Sequence, residues 1–316
     1  MYPRSKESLN DSYRERGEQV QIIASTIKNI ASMTRMLMWS DPADYYQILG
    51  DDLIEGETEQ FRDPQKPLWL NLGYWEHART YPEAARAMAQ QLGDAAELGP
   101  NDTLLDVGFG FAEQDIYWVE QYNIARITGL NITSFQVERA RERVRQRGLE
   151  ERIDLGFGSA TQMPFGANVF TKVTALESAF HFVTREQFFR EAFRVLAPGG
   201  RIALADGAAS VGSTAPNFRT KWILRHWATP LANYYDRHEY SRLLERCGFV
   251  NVQCRSISQH VFPHTLKYSE LRRAGGRVDN TVVPPLSEAE VQEGLQRWRH
   301  QGLSDYVIIT ADKPAA

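Results

Sequence analysis

Apolar runs alternate with amphipathic segments along this chain from residue 81 onward. Apolar positions at helical spacing predict helices over 82–98, 112–122, 134–147 and 185–196. Short apolar runs predict strands over 103–107, 126–130, 153–157, 172–177 and 200–206. Such alternation is typical of an α/β fold in which helices cover both faces of a parallel sheet. We therefore assign residues 68–206 to an α/β core.

The segments on either side of this core have different patterns. Residues 18–38 place apolar side chains at helical spacing, and the acidic stretch 41–66 contains two prolines. Residues 1–67 are thus interpreted as an N-terminal helical arm and connector. The apolar face of the arm needs a partner surface, either on its own chain or on a second subunit, so a homo-oligomer is one expectation.

The C-terminal part is expected to contain an insertion followed by the end of the core. Residues 207–285 interrupt the alternation and are interpreted as a substrate cap over the sheet edge. A helix over 287–301 and a strand over 304–311 are predicted next. Residues 286–316 therefore complete the core.

A glycine turn follows the strand predicted at 103–107. Gly108 and Gly110 lack a Cβ, so the backbone here can lie against a ligand. The next strand ends at Asn131, which places a polar side chain at the same sheet edge and favours a nucleoside site. The third glycine of the dinucleotide fingerprint is replaced by Glu113, and two glycines alone are also compatible with a tight turn that binds nothing.

Composition excludes several other functions. The 316 residues carry a net charge of −4 and are 42% hydrophobic, without the basic excess typical of nucleic-acid binding. No window approaches the ~20 apolar residues of a membrane helix, and the polar N-terminus shows no export signal. Cys247 and Cys254 form no metal-binding pattern. We expect a cytoplasmic protein that binds no metal, membrane or nucleic acid.

Four ordered motifs, at residues 106–110, 129–133, 163–165 and 194–200, carry a family resemblance. With them, the chain resembles class I S-adenosylmethionine-dependent methyltransferases, and segments 70–75 and 177–182 resemble their small-molecule members. These include macrolide sugar, sterol and tocopherol-type, and bacterial terpenoid methyltransferases. The resemblance implies a Rossmann-like α/β sheet with helices on both faces, to which the N-terminal arm and inserted cap expected above are added.

The same resemblance implies a site for S-adenosylmethionine. The glycines would let the loop approach the methionine part of the cofactor, and Asp106 would orient that loop. Asn131 stands where the family usually has an acid that binds the ribose hydroxyls. Tyr74 would close over the cofactor carboxylate, although ordinary core packing also explains it. The cofactor-binding residues implied are Tyr74, Asp106, Gly108, Gly110, Asn131, Ile132, Gln136, Ser159 and Ala160.

Two residues at and just beyond the end of the fourth predicted strand are candidates for proton transfer. Glu177 ends an apolar strand, where burial raises the pKa of a carboxyl group and suits it to act as a base. A carboxylate that orients the cofactor loop is the alternative. His181 follows one turn later and can relay a proton at neutral pH, unless it is simply a packed, hydrogen-bonded side chain.

Residues 217–277 contain eleven Lys or Arg and four acidic residues, a local net charge of +7. Basic and aromatic side chains interleave there, which suits an acceptor with an anionic head group and an apolar body. A solvated charged surface is the alternative. The substrate-binding candidates are Arg219, Lys221, Trp222, Arg225, His226 and Tyr235.

The sequence therefore predicts a methyltransferase of a small specialised metabolite. The basic cap favours C-methylation of a prenyl diphosphate, with or without cyclisation. O- or N-methylation of a macrolide sugar or another natural product is the alternative. A nicotinamide-dependent oxidoreductase and a non-catalytic nucleoside-binding protein are the competing classes, and the missing third glycine and Asn131 disfavour the oxidoreductase.

Overall fold

A computed structural model of the chain describes residues 66–213, 215–275, 281–299 and 302–315. The predicted helix at 18–38 and nearly all of the connector lie outside these ranges. None of the described helices is both long and apolar enough to cross a membrane.

One seven-stranded sheet organises the described residues. The strands follow the order β3-β2-β1-β4-β5-β7-β6. Neighbours from β3 to β5 pair in parallel, whereas β7 runs antiparallel to both β5 and β6. The bounds are β1 Thr103–Val107, β2 Arg126–Asn131, β3 Ile153–Phe157, β4 Phe170–Leu176, β5 Leu196–Ala208, β6 Val250–Ser256 and β7 Asp305–Asp312.

Eight helices of the described ranges accompany the sheet. Thr80 and Glu83 form a capping box at the start of the first, and Ser287 and Glu290 form another at the start of the last. The bounds are α1 Tyr81–Ala96, α2 Glu113–Tyr122, α3 Ser134–Gln146, α4 Arg185–Val195, α5 Phe218–His226, α6 Arg237–Arg246, α7 Ser258–Gly275 and α8 Glu288–Trp298.

Two apolar layers enclose the sheet. One contains Met88, Leu92 and Trp118, and the other contains Phe188 and Phe189; all five side chains are buried. Because both faces are covered, the central strands consist almost entirely of buried residues, as expected for a parallel sheet. The predicted Rossmann-like sheet with helices on both faces is confirmed.

The segment interpreted as a cap, residues 207–285, is not a single insertion. Its β6 forms the edge strand beside β7, and α6 packs against β6. Residues 237–256 therefore belong to the core layers. Of the expected cap, α5 and α7 remain as candidates for covering the site.

Candidate active site

The glycine loop leaves β1 in a conformation that requires glycine. Gly108 has φ +85°, and a Cβ there would lie 2.3 Å from the Cβ of Ser178. Gly110 has φ +57°, with Leu70 2.9 Å from the position of a Cβ. The Gly108 N–H donates to the carbonyl oxygen of Leu130 (2.7 Å), which joins the loop to β2. Two strand ends thus meet at this loop.

Asp106 lies beneath the loop and is fully buried. Its carboxylate accepts hydrogen bonds from the Thr174 hydroxyl (2.8 Å) and the Gln114 side-chain amide (3.0 Å). Burial raises the pKa of Asp106 to about 6, against the effect of these donors. Gln114 also donates to the Phe109 carbonyl oxygen (3.1 Å), so Asp106 acts on the loop through Gln114.

A buried ion pair occupies the place of the missing third glycine. Glu113 is the first residue of α2 and pairs with Arg143 of α3, and both side chains are almost fully enclosed. Arg143 also donates to the Lys66 carbonyl oxygen (3.1 Å). The pair joins two helices beside the cavity, an arrangement that no sequence motif predicts.

A cavity of about 360 Å³ opens between the glycine loop and the ends of β2 and β4. Seven of the nine predicted cofactor-binding residues line it. They are Gly108, Gly110, Asn131, Ile132, Gln136, Ser159 and Ala160. The other two, Asp106 and Tyr74, do not line the cavity. Asp106 lies beneath the glycine loop and contacts it through Gln114, whereas Tyr74 has no such connection.

The β2 end of this cavity carries paired amides. The Asn131 amide donates to the Gln136 side-chain oxygen (2.9 Å), and its own oxygen accepts the Thr133 N–H (3.2 Å). These contacts fix the amide rotamers. Because the side chains are amides, this end of the cavity carries no charge.

Tyr74 packs in the core rather than over this cavity. Its ring lies beside His260, with 5.1 Å between centroids, and its hydroxyl donates to Glu76 (2.7 Å). Tyr74 is not among the residues that line the cavity, and its closing over the cofactor carboxylate stays a prediction. Leu68, Leu70 and Asn71 of the same loop line the cavity instead.

Glu177 follows β4 directly and lies between two cavities. Its backbone has φ +49°, an uncommon value for a residue with a side chain. The Oε1 atom accepts the Leu72 N–H (2.7 Å) and the Tyr306 hydroxyl (2.6 Å). Burial raises the pKa of Glu177 to about 7, although both donors act in the opposite direction. The carboxyl group therefore titrates near neutral pH.

His181 lies on the short turn Ala179–His181 and is buried. Its Nδ1 atom donates to the Ala228 carbonyl oxygen (3.3 Å), which leaves Nε2 as an acceptor in the neutral tautomer. Burial lowers the pKa of His181 to about 4. The imidazole is thus neutral at physiological pH.

A second cavity of about 190 Å³ adjoins the first and shares Glu177, Phe180 and His181 with it. Neither set of lining residues includes a Lys or an Arg. Several of the residues come from parts of the chain that the sequence had not connected to the site. The other residues that line it are Leu72, Gly207, Trp227, Phe262, Leu303 and Tyr306.

A buried arginine holds the turn that carries His181. Arg185 is fully buried and donates to Asp206 (2.9 Å) and to the backbone oxygen of Asn233 (2.6 Å). The Asn233 side chain in turn donates to the carbonyl oxygens directly before and after His181 (3.1 and 2.8 Å). This network fixes the shared wall of the two cavities.

The predicted substrate-binding residues lie apart from both cavities. Arg219, Lys221, Trp222 and Arg225 lie on α5, and none of them lines either cavity. His226 stacks on Trp222, with 5.7 Å between ring centroids. The guanidinium carbon of Arg185 lies over the ring of Tyr235, 5.0 Å from the ring centroid. The structure therefore does not bring these six residues to the site.

Comparison with known proteins gives the family. A methyltransferase domain model matches residues 105–204. The chain is 34% identical over 287 residues to erythromycin 3''-O-methyltransferase of Saccharopolyspora erythraea, covering 86% of this chain and 89% of that protein. It is 30% identical over 263 residues to 27-O-demethylrifamycin SV methyltransferase of Amycolatopsis mediterranei, covering 81% and 95%.

Solved structures share the fold at lower identity. The cyclase SpnF superposes with a TM-score of 0.63 at 21% identity, over 87% of this chain and 98% of that one. A geranyl diphosphate methyltransferase in complex with SAM gives a TM-score of 0.60 at 23% identity, over 73% and 86%. With relatives of 30% identity or more aligned along most of its length, the chain belongs to the class I S-adenosylmethionine-dependent methyltransferases.

Proposed function

We propose that this protein methylates a neutral hydroxyl group of a polyketide natural product of the macrolide or rifamycin type. Two relatives that align along most of the chain are named for O-methylation of such compounds. The prenyl diphosphate favoured by the basic sequence segment has weaker support, because the geranyl diphosphate methyltransferase resembles this chain in fold alone.

The larger cavity suits the methyl donor. Its volume falls in the range of ordinary small-molecule sites. A Cβ at Gly108 or Gly110 would collide with neighbouring side chains, so the glycine loop provides close access to backbone atoms. Asn131 and Gln136 would hold the ribose hydroxyls through neutral amides. When bound, S-adenosylmethionine supplies an activated methyl group.

The smaller cavity, of about 190 Å³, is too small for a whole macrolide and is the proposed site for the hydroxyl-bearing end of the acceptor. Its charge is the observation that carries the proposal. Its walls are largely aromatic and aliphatic, including Trp227, Phe262 and Leu303, and contain no Lys or Arg. Phosphate groups in proteins are usually bound by such cations or by clustered backbone N–H groups. This lining therefore favours a neutral acceptor over a diphosphate.

Glu177 is the proposed proton acceptor. As the acceptor oxygen gains the methyl group, it must lose its proton, and a base whose pKa lies near the working pH is well matched to that step. The pKa of Glu177 is about 7, and the residue lines both cavities. Neutral His181 lies in the same shared wall and is the alternative proton acceptor, with a pKa lowered by burial.

A direct test is incubation with labelled S-adenosylmethionine and three acceptors: a demethyl macrolide, a demethyl rifamycin and geranyl diphosphate. Mass spectrometry then reports where the methyl group is attached. We expect O-methylation of a macrolide or rifamycin and no methylation of geranyl diphosphate. Methylation of geranyl diphosphate alone would overturn the proposal.

The proton acceptor is tested with Glu177→Gln, in which the amide oxygen can still accept from Leu72 and Tyr306. General-base catalysis contributes about 10²–10⁴-fold, so kcat should fall by a factor in that range while cofactor binding is retained. The comparison variant is His181→Asn. If Glu177→Gln stays active and His181→Asn does not, His181 is the base.

A further inference from the structure

We propose that Tyr306, on the last strand, is a positioning residue for methyl transfer that orients the Glu177 carboxylate and keeps it charged. This inference rests on the proposed function, in which Glu177 takes the hydroxyl proton. Tyr306 lies outside every motif of the sequence and reaches Glu177 across a separation of 129 residues.

The hydrogen bonds to Glu177 distinguish its two oxygens. Tyr306 and the Leu72 N–H both donate to Oε1, at 2.6 and 2.7 Å. Within the described residues no donor is found at Oε2. Since Glu177 lines both cavities, Oε2 is the oxygen available to the acceptor. Because both donors occupy Oε1, we assign the proton taken from the acceptor to Oε2.

Tyr306 is itself held rigidly. Its side chain is buried, and its ring meets Phe262 edge to face with 5.9 Å between centroids. Its N–H donates to the Ser258 hydroxyl (2.8 Å), and its carbonyl oxygen accepts the Ile257 N–H (2.8 Å). The hydroxyl therefore has one fixed direction, toward Glu177.

The charge state of Glu177 depends on few neighbours. Tyr306 of β7 lowers the pKa of Glu177 through its hydrogen bond, whereas Asp206 of β5 raises it through charge repulsion. Tyr81 of α1 also interacts electrostatically with Glu177, and His181 of the adjacent turn is neutral. Tyr306 is the side-chain donor among these groups, so losing its hydroxyl should favour the protonated carboxyl.

The test is the pH profile of kcat for Tyr306→Phe, which keeps the ring and removes only the hydroxyl. If the pKa of Glu177 rises by about one pH unit from its value near 7, the ionised fraction at pH 7 falls from about one half to about one tenth, and kcat falls about fivefold. Activity should recover by about pH 9, and the Kd for S-adenosylhomocysteine should stay within about twofold.

Tyr122→Phe is the matched control. Tyr122 is a partly buried tyrosine that also donates to a carboxylate, Asp94 (2.6 Å), and it lines neither cavity and does not contact Glu177 or Asp206. It should leave the acid limb of the kcat profile where it is. If the midpoint of the acid limb of the kcat profile does not move in Tyr306→Phe, or moves equally in both variants, the positioning role is overturned.

A spectroscopic measurement separates this inference from the proposed function. Infrared titration of the carboxyl band, with Glu177→Gln as the subtraction reference, follows Glu177 without any acceptor. A higher midpoint in Tyr306→Phe than in the unmodified protein supports the positioning role even if the acceptor is not a hydroxyl. Equal midpoints overturn it even if hydroxyl methylation is found.

Discussion

Gly108→Ala probes the glycine loop with the smallest possible change. Gly108 has φ +85°, where an L side chain is strained, and the new Cβ would lie 2.3 Å from the Cβ and 2.6 Å from the Oγ of Ser178. This overlap forces the Ser178 side chain to move. The movement breaks the hydrogen bond that its hydroxyl donates to the Val107 carbonyl oxygen (2.6 Å). The substitution therefore combines backbone strain with the loss of a buried hydrogen bond.

The cost can be estimated from these two parts. Left-handed backbone costs about 1–2 kcal/mol for a residue with a Cβ. Leaving a buried hydrogen-bonding group without its partner costs about 1–3 kcal/mol. The free energy of unfolding should therefore fall by roughly 2–5 kcal/mol, the sum of the two ranges. Chemical denaturation measures this loss, and fluorescence titration with S-adenosylhomocysteine should show at least about tenfold weaker binding, the equivalent of about 1.4 kcal/mol.

Gly148→Ala isolates the backbone part. Gly148 has φ +64°, and no heavy atom lies within 4 Å of the Cβ position. This variant should lose about 1–2 kcal/mol and bind S-adenosylhomocysteine normally. If Gly108→Ala were no more destabilising than Gly148→Ala and bound the ligand equally well, the steric role of the loop glycine would be refuted.

Two further substitutions test charges in the core and on the surface. Burial and the charge of Asp106 raise the pKa of Asp115 well above its ordinary value. Above about pH 4 the folded state therefore keeps a proton that the unfolded state releases. The free energy of unfolding consequently falls as the pH rises from about 4 toward the pKa of the folded state. Asp115→Asn should remove this slope, at most about 1.4 kcal/mol per pH unit, and raise Tm more at pH 8 than at pH 4; a Tm gain independent of pH would contradict this. Replacing exposed Arg219 and Arg225 together by Gln should leave the acceptor's KM unchanged, and a raised KM would return the basic segment to the site.

The sequence predicted the parallel part of the sheet well because its central strands contain short runs of buried, mostly apolar residues. The seven residues of β4, for example, include four consecutive buried positions, Val173–Leu176. The edge strand β6 has the opposite character, with mostly exposed or half-exposed residues such as Gln253 and Arg255. It pairs with β7, about fifty residues later, so no local pattern marks it as part of the sheet.

The same distinction applies to the site. Gly108 and Glu177 could be found because motifs at strand ends mark them. Tyr306, Trp227 and Phe262 could not, because long-range pairing and helix packing bring them to the second cavity. An aromatic residue in an apolar strand has the same pattern whether it fills the core or lines a cavity.

Local charge was the misleading signal, and its failure has a physical cause. The net charge of +7 over 217–277 leaves out partners elsewhere in the chain: Arg237 pairs with Asp305, and Lys267 lies 4.0 Å from Glu290. Within the segment, Glu239 pairs with both Arg242 and Arg246 on the surface of α6.

A positive segment therefore does not imply a positive site. Solvent screens exposed charges such as Arg219 and Arg225 on α5, which line neither cavity, so they contribute little field there. In the proposed acceptor cavity the ionisable lining groups are Glu177, His181 and Tyr306, and none is a permanent cation. A diphosphate placed there would need a cation that these side chains do not supply, whereas a neutral hydroxyl would find a proton acceptor in Glu177. The proposed choice of a hydroxyl acceptor therefore follows from the lining of the cavity rather than from the charge of the segment.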